Sequence, residues 1–306
     1  MHPQITSRLT RRSLFAGLAV APALAAAGRP VRLGGPIYLK STDPRELARE
    51  HRRLGYSAAY CPGIKIDDAK ATREAYAAEN VVIAEVGAWK NMLDPNDEVR
   101  KANVAYVIER LALADAVGAR CCVDIAGSYN PKVWYGPHPN NLSKEFFDAT
   151  VENCRNVIDQ VKPSKTTFSI EMMGWSIPDG PDSYVKLIRA VDRKAFSVHM
   201  DICNGVNSPE RFYHNREFTE ECFKKLGRWI TSCHAKDLQW LPEMNVHFVE
   251  VIPGRGEIDY KAYLRAVSNL PTDAPLMLEH LKNAAEYDEG RAYIQKMAGE
   301  AGVTFA

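Results

Sequence analysis

Short, dense apolar runs alternate along this chain with longer amphipathic segments, and this rhythm constrains the fold more than any other feature. The apolar runs are continuous instead of alternating with polar residues, which is typical of strands buried on both faces. Strands that alternate with helices predict a parallel sheet with right-handed crossovers. The predicted strands span residues 31–39, 57–61, 81–86, 120–126, 167–172, 197–202, 230–235 and 275–280.

The segments between these runs carry helix signals. Asp43 is a candidate N-cap ahead of Pro44, Gly118 follows a long amphipathic segment, and Pro163 follows another. Capping side chains, a glycine just past the end and a nearby proline are typical boundaries of helices. The predicted helices span residues 43–54, 69–79, 97–117, 143–161, 181–191, 219–229, 258–270 and 284–301.

Eight strand–helix pairs predict an α/β fold, a single (β/α)8 TIM barrel with a closed parallel sheet, whose usual length is about 250 residues. An open, doubly wound sheet is the structural alternative, and it usually carries a glycine-rich fingerprint after its first strand. Gly34 and Gly35 lie inside the first predicted strand instead. Because no linker interrupts the rhythm, we expect one domain over residues 28–306.

Residues 1–27 differ from the rest of the chain. Arg11 and Arg12 precede an apolar run, 14–27, that ends in small residues, and this pattern is similar to a twin-arginine export signal. An uncleaved membrane anchor is the alternative, but the run is shorter than the roughly 18 residues of a membrane span and contains Pro22. We therefore expect an exported protein, periplasmic or secreted, with no stable membrane span after signal removal.

Net charge and cysteine content argue against nucleic acid as a partner and against a disulfide framework. The formal net charge is +1, and loss of residues 1–27 would make it slightly negative, so nothing favours nucleic acid as a partner. The seven cysteines are odd in number and contain no C-x-x-C pair, so we expect buried thiols instead of a disulfide framework. A homo-oligomer is compatible with the sequence.

Four successive strands, the fifth to the eighth, each end on a side chain that can bind a metal ion. These residues are Glu171, Asp201, His234 and Glu279. Each one alone would more often be a cap, an ion-pair partner or a structural histidine. Because the carboxyl ends of adjacent barrel strands meet at one mouth, we expect the four to be neighbours. A carboxylate at the end of a buried strand is costly unless it is paired or metal-bound.

Three carboxylates and one imidazole suit one divalent ion, with Mn²⁺, Mg²⁺, Co²⁺ and Zn²⁺ as candidates. Such an ion would polarise a carbonyl and a hydroxyl of a sugar and stabilise an enediolate, while a carboxylate moves the proton.

Five segments in the second half of the chain resemble the xylose-isomerase-like barrel family of sugar isomerases and epimerases, which also contains dehydratases and keto-sugar lyases. The resemblance implies that Glu171, Asp201, His234 and Glu279 are the metal ligands, with Mn²⁺ favoured. It also implies that Glu171 and Glu279 double as catalytic acid/base groups on two faces of the substrate. The segments are Ser169-Ile-Glu171, His199-Met-Asp201, Ser232-Cys-His234-Ala-Lys236-Asp237, Gly254-Arg-Gly256-Glu-Ile-Asp259-Tyr260 and Leu278-Glu279-His280.

The sequence departs from many such epimerases at Asn204, which stands three residues after the metal Asp where they have a histidine. Asparagine can hold a hydroxyl but cannot exchange a proton near neutral pH. We expect substrate-binding residues around it and on the loops that follow strands. These are Asn204, Lys236, His247, Arg255, Trp134, His138 and Trp175, with Asp237 as a further candidate beside Lys236. Strand alternation is expected to turn His199 and His280 to the other side of the sheet from their ligand neighbours.

The leading functional hypothesis is a metal-dependent isomerase or epimerase that acts on an unphosphorylated sugar through an enediolate. A keto-sugar lyase that eliminates the aglycone of a 3-keto-glycoside would use the same groups, and export favours it because phosphorylated sugars are mainly cytoplasmic. A non-catalytic sugar-binding barrel is a third hypothesis. A nuclease like endonuclease IV is disfavoured, because it needs additional histidines on the early strands and no histidine lies between His51 and His138.

Overall fold

The computed structural model describes residues 28–306 of the chain, so the predicted export signal lies outside the described residues. Eight parallel strands form a closed barrel: β1 Leu33–Gly34, β2 Ala58–Tyr60, β3 Val82–Gly87, β4 Cys121–Asp124, β5 Phe168–Glu171, β6 Phe196–Asp201, β7 Ile230–Ala235 and β10 Leu276–Leu278. Their order around the barrel is β1-β10-β7-β6-β5-β4-β3-β2, with β1 hydrogen-bonded to both β10 and β2. This confirms the predicted single (β/α)8 barrel.

Helices surround the barrel: α1 Pro44–Arg53, α2 Ala69–Ala78, α3 Asp97–Val117, α4 Lys144–Val161, α5 Pro181–Val191, α6 Ile202–Gly205, α7 Pro209–Tyr213, α8 Asn215–Leu226, α9 Tyr260–Ser268 and α10 Ala284–Ala301. Several of them begin or end at a capping residue. The side chains of Asp43, Asn96 and Ser143 accept hydrogen bonds from the first turns of α1, α3 and α4, and Gly118 ends α3 in the left-handed conformation.

All eight predicted strands and all eight predicted helices are present, most of them with shifted ends. The first strand is shorter than predicted, and α8 begins at Asn215, where its side chain bonds to two backbone carbonyls. An antiparallel hairpin that was not predicted, β8 Asp237–Trp240 and β9 Phe248–Val251, follows β7. Its strands have only four residues each, and outside Asp237 and Leu238 they are half-buried or exposed, so they carry no long apolar run.

The cysteines are buried free thiols, as the sequence predicts. The seven cysteines are free, and all except the half-buried Cys61 are buried. Within residues 28–306, no helix combines the length and the apolar character that crossing a membrane requires.

Candidate metal centre

The four strand-end residues meet at the carboxyl end of the barrel. Glu171 and Asp201 are the last residues of β5 and β6, His234 is the next-to-last of β7, and Glu279 directly follows β10. The parallel register pairs His234 with Asp201 on one side and with Met277 on the other, which brings the strand ends level. One ligand atom from each of the four lies within 4.8 Å of the others.

The His234 imidazole lies at the centre of this cluster. Its Nδ1 is 2.9 Å from Glu171 Oε1, 3.0 Å from Glu279 Oε2 and 3.6 Å from Asp201 Oδ2. Burial disfavours the charged ring, but Glu279, Glu85 and Glu171 outweigh burial and raise the pKa of His234 well above its usual value. One ring nitrogen therefore faces three carboxylates at once.

A buried ammonium accompanies the four residues. Lys236 Nζ lies 2.9 Å from Asp201 Oδ2 and 2.9 Å from Glu279 Oε2, and its side chain is 2% exposed. Burial would lower the pKa of Lys236, but Asp201, Glu171 and Glu279 raise it well above the usual value, so the side chain stays charged. The predicted substrate-binding lysine thus contacts the candidate metal ligands directly.

The two carboxylates predicted to act as acid and base differ in proton affinity. Burial dominates at Glu171 and raises its pKa. Burial also opposes ionisation of Glu279, but His234 and Lys236 outweigh it and lower the pKa of Glu279 to about 2. Paired groups whose environments push their pKa values apart are typical of acid/base sites.

The cluster fits a divalent cation. Asp201 Oδ2 and Glu279 Oε2 are buried and accept no well-aligned hydrogen bond, although both lie in ion contact with Lys236. Three converging carboxylates carry more negative charge than one ammonium neutralises. Carboxylate oxygens with one imidazole nitrogen are ligands that Mn²⁺, Mg²⁺, Co²⁺ and Zn²⁺ all accept.

Asn204 also contacts the centre. It lies in α6, directly after β6, and its side-chain amide donates to Glu171 Oε1 at 3.2 Å. Its Oδ1 accepts from Lys236 Nζ at 3.5 Å. Asn204 and Lys236 are therefore the two predicted substrate-binding residues that the structure places at the candidate ligands.

The other predicted substrate-binding residues make contacts elsewhere. Arg255 forms a two-pronged ion pair with Glu289 of α10, and His247 bonds to Glu243 within the hairpin loop. The His138 ring accepts from a backbone amide as the cap of a short 3₁₀ turn. Trp134 packs edge to face on a neighbouring tyrosine, and the Trp175 ring is exposed. Their substrate contacts stay predictions.

The prediction that His199 faces the other side of the sheet from Asp201 is wrong. It lies two residues before Asp201, so both side chains point into the barrel, and alternation does not separate them. Its ring is fully buried with its centroid 4.1 Å from that of His234. His280, one residue after Glu279, instead lies half exposed at the mouth and bonds to Glu250 at 2.8 Å. Glu250, on β9, reaches within 3.9 Å of Lys236 and was also missed.

Asp237 has a structural role beside the centre. Its carboxylate accepts the backbone N–H groups of Leu238, Gly254, Gly256 and Ile258 at 2.8–3.1 Å. Gly254 has a φ of +98°, and a Cβ on Gly256 would lie 2.4 Å from Asp237 Oδ1. The glycines of this loop therefore allow it to wrap around a buried carboxylate that adjoins Lys236.

Comparison with known proteins agrees with the architecture. A family model described as xylose isomerase-like TIM barrel matches residues 46–297. No curated protein matches the chain.

Several solved structures share the fold at low identity. A xylose isomerase-like TIM barrel protein from Mycobacterium smegmatis, in complex with magnesium, is 16% identical, with a TM-score of 0.63 over 89% of this chain and 97% of that one. D-psicose 3-epimerase from Clostridium cellulolyticum H10 is 14% identical, with a TM-score of 0.65 over 89% and 99%. 3-Keto-D-glucoside 4-epimerase from E. coli is 13% identical, with a TM-score of 0.60 over 87% and 99%.

Proposed function

The chain belongs to the xylose isomerase-like TIM barrel family, and on that basis we propose that it is a divalent-metal-dependent enzyme that isomerises or epimerises an unphosphorylated sugar. The observation that carries the proposal is the convergence of Glu171, Asp201, His234 and Glu279, one ligand atom each within 4.8 Å. Its neighbours in fold include two sugar epimerases, which is consistent with this activity.

The mechanism assigns separate tasks to the side chains. Glu171, Asp201, His234 and Glu279 would hold the ion, which would polarise a carbonyl and a neighbouring hydroxyl of the sugar. Glu171 and Glu279 lie at the same mouth of the barrel, 2.9 and 3.0 Å from His234 Nδ1. We assign proton transfer to them: one carboxylate would remove the proton alpha to the carbonyl and the other would return it.

Asn204 and Lys236 would prepare the site for this transfer. Asn204 donates to Glu171 Oε1 and fixes the direction of that carboxylate, but its amide does not exchange protons near neutral pH. Lys236 offers a permanent positive charge beside Glu279 and Asp201. Proton transfer therefore falls to the two glutamates.

Exchange of solvent deuterium into substrate tests the proposal. The metal-loaded protein is incubated in D₂O with free ketoses and with 3-keto-glycosides, and products are followed by NMR. We expect a deuterated isomer, with activity reduced about 10²–10⁴-fold in Glu171→Gln and Glu279→Gln. The exposed Glu300→Gln is the matched control. Full activity after exhaustive chelation, or in both glutamine variants, would refute the proposal.

The same experiment separates a second candidate, a lyase acting on a 3-keto-glycoside. The hairpin that places Glu250 near Lys236 also exposes the apolar side chains of Trp240, Met244 and Val246. An apolar surface beside the mouth could bind an aglycone. Release of the aglycone with an unsaturated keto-sugar would favour the lyase, whereas a deuterated isomer favours the isomerase.

We also propose that the protein is exported, which the arginine pair and apolar run of residues 1–27 support. Replacing Arg11 and Arg12 with lysine should retain the protein inside the cell, as measured by fractionation. Unchanged export of this double variant would contradict a twin-arginine route.

A further inference from the structure

A buried carboxylate that the sequence analysis did not single out lies inside the barrel, next to His234. Glu85 belongs to β3 and is 1% exposed. Its Oε2 is 2.8 Å from His199 Nε2 and 3.1 Å from Ser232 Oγ, and its Oε1 is 3.2 Å from His234 Nε2. Three side-chain donors from β6 and β7 thus converge on this one group.

These contacts determine which nitrogen of His234 carries a proton. An ionised carboxylate only accepts hydrogen bonds, so Nε2 of His234 donates to Glu85. In a neutral imidazole the lone pair is then on Nδ1. Nδ1 is the atom that faces Glu171, Glu279 and Asp201, and a metal ion in that cluster requires a lone pair there.

We propose that Glu85 is the positioning residue of the metal centre: it holds the Nε2–H of His234 and so fixes the tautomer and ring orientation in which Nδ1 binds the divalent ion. This inference rests on the proposed metal-dependent function. Removing a carboxylate that holds the second nitrogen of a ligating histidine typically weakens metal affinity about 10–100-fold.

A second ion is the competing explanation, because Glu85, His199 and His234 also offer ligand atoms within 4.8 Å of one another. The geometry favours hydrogen bonds. Both imidazoles contact Glu85 at hydrogen-bond distances, and the Ser232 hydroxyl supplies a third donor. The buried carboxylate is therefore satisfied without a cation, and we expect one ion per chain.

The first test uses ¹¹³Cd²⁺ as the probe and the full chain labelled with ¹⁵N histidine. One-bond coupling between ¹¹³Cd and ¹⁵N marks the bound nitrogen, and the pattern of long-range proton couplings distinguishes Nδ1 from Nε2. We expect one coupled histidine, bound through Nδ1 and protonated at Nε2, and its signal should disappear in His234→Gln. Coupling through Nε2, or two ions with a coupled His199, would overturn the inference.

The second test measures the dissociation constant of Mn²⁺ by calorimetry. Glu85→Gln offers one acceptor oxygen to two imidazoles, so we expect the constant to rise about 10–100-fold. Glu85→Asp keeps the charge and should fall between wild type and Glu85→Gln. The exposed Glu300→Gln lies outside this network and should bind Mn²⁺ like wild type.

The outcomes separate this inference from the proposed function. If wild type binds neither Cd²⁺ nor Mn²⁺, the proposed function and the inference both fail. If wild type binds one ion and Glu85→Gln binds it equally well, only the role of Glu85 fails. The wild-type spectrum decides the question by itself if Glu85→Gln does not fold.

Discussion

At the scale of single residues, Lys236 balances the charge of the candidate metal centre. Its ammonium lies 2.9 Å from both Asp201 and Glu279, and one ammonium plus one divalent ion neutralises three carboxylates. We expect Lys236→Met to bind Mn²⁺ more tightly, because a unit charge at 4 Å contributes up to about 4 kcal/mol at an effective dielectric near 20. Turnover should fall at the same time, because the site no longer presents the Lys236 ammonium to the substrate.

Calorimetry with Mn²⁺ and steady-state turnover check this prediction. The surface variant Lys261→Met, which removes only an exposed pair with Glu300, is the control and should behave like wild type. Weaker or unchanged Mn²⁺ affinity in Lys236→Met would contradict the charge-balance account.

The sequence was informative for residues at strand ends and less so for residues inside the barrel. Glu171, Asp201, His234 and Glu279 follow apolar runs, so their convergence could be predicted from a parallel sheet. Glu85 lies within such a run, and its partners come from β6 and β7, more than 100 positions away. Only the closed topology brings those side chains together. A single glutamate inside an apolar strand was nevertheless a usable sign that this position has a polar partner.

At the scale of elements, the loop around Asp237 depends on close approach of backbone to carboxylate. A Cβ at Gly256 would lie 2.4 Å from both Asp237 Oδ1 and Leu238 O. We expect Gly256→Ala to lower the free energy of unfolding by about 2 kcal/mol or more, measured by chemical denaturation.

Gly299 is the matched control for this prediction. It lies exposed in α10, and a Cβ there would meet no atom within 4 Å. Gly299→Ala should therefore stabilise the protein, by up to about 1 kcal/mol. Equal effects of the two substitutions would contradict the packing of the loop.

His51 of α1 makes the free energy of unfolding depend on pH. Burial lowers the pKa of His51, whose Nδ1–H donates to the Leu47 carbonyl and whose ring packs near Tyr76. Below pH about 6.5 the unfolded chain binds a proton that folded His51 resists, so stability falls as the pH drops from there towards the folded pKa.

Denaturation of wild type and His51→Gln at pH 7.5 and 5.5 measures this contribution. The variant loses ring packing and should be less stable at both values, but its stability should fall less between them. A fall as steep as that of wild type would show that His51 does not carry this pH dependence.

Elements with clear boundary residues were predictable, and elements stabilised by tertiary contacts were not. Helices α3, α5 and α10 have the predicted bounds, because residues typical of helix ends mark them: Gly118 follows α3, Pro181 begins α5, and Asn283 and Gly302 cap α10. The β8–β9 hairpin has four-residue strands, and stacking of Phe248 on Phe212 with a centroid distance of 4.7 Å helps to hold it. Such a long-range contact leaves no periodic signal.

At the scale of the whole molecule, the barrel concentrates buried charge at its carboxyl end. Glu171, Asp201, His234 and Lys236 are at most 4% exposed, so their charged groups have lost most of their contact with water, which costs free energy. A bound divalent ion would stabilise this end of the barrel and hence the folded chain. The family match explains the fold, whereas the chemistry depends on whether these side chains bind that ion.

Titration of chelator-treated protein with Mn²⁺, with bound ions counted by electron paramagnetic resonance, tests this claim most directly. We predict one Mn²⁺ per chain in wild type and strongly weakened binding in Asp201→Asn and His234→Gln, with both variants remaining folded by circular dichroism. Absence of Mn²⁺ binding in wild type, or binding in both variants that is as tight as in wild type, would contradict the assignment of this cluster as the metal centre.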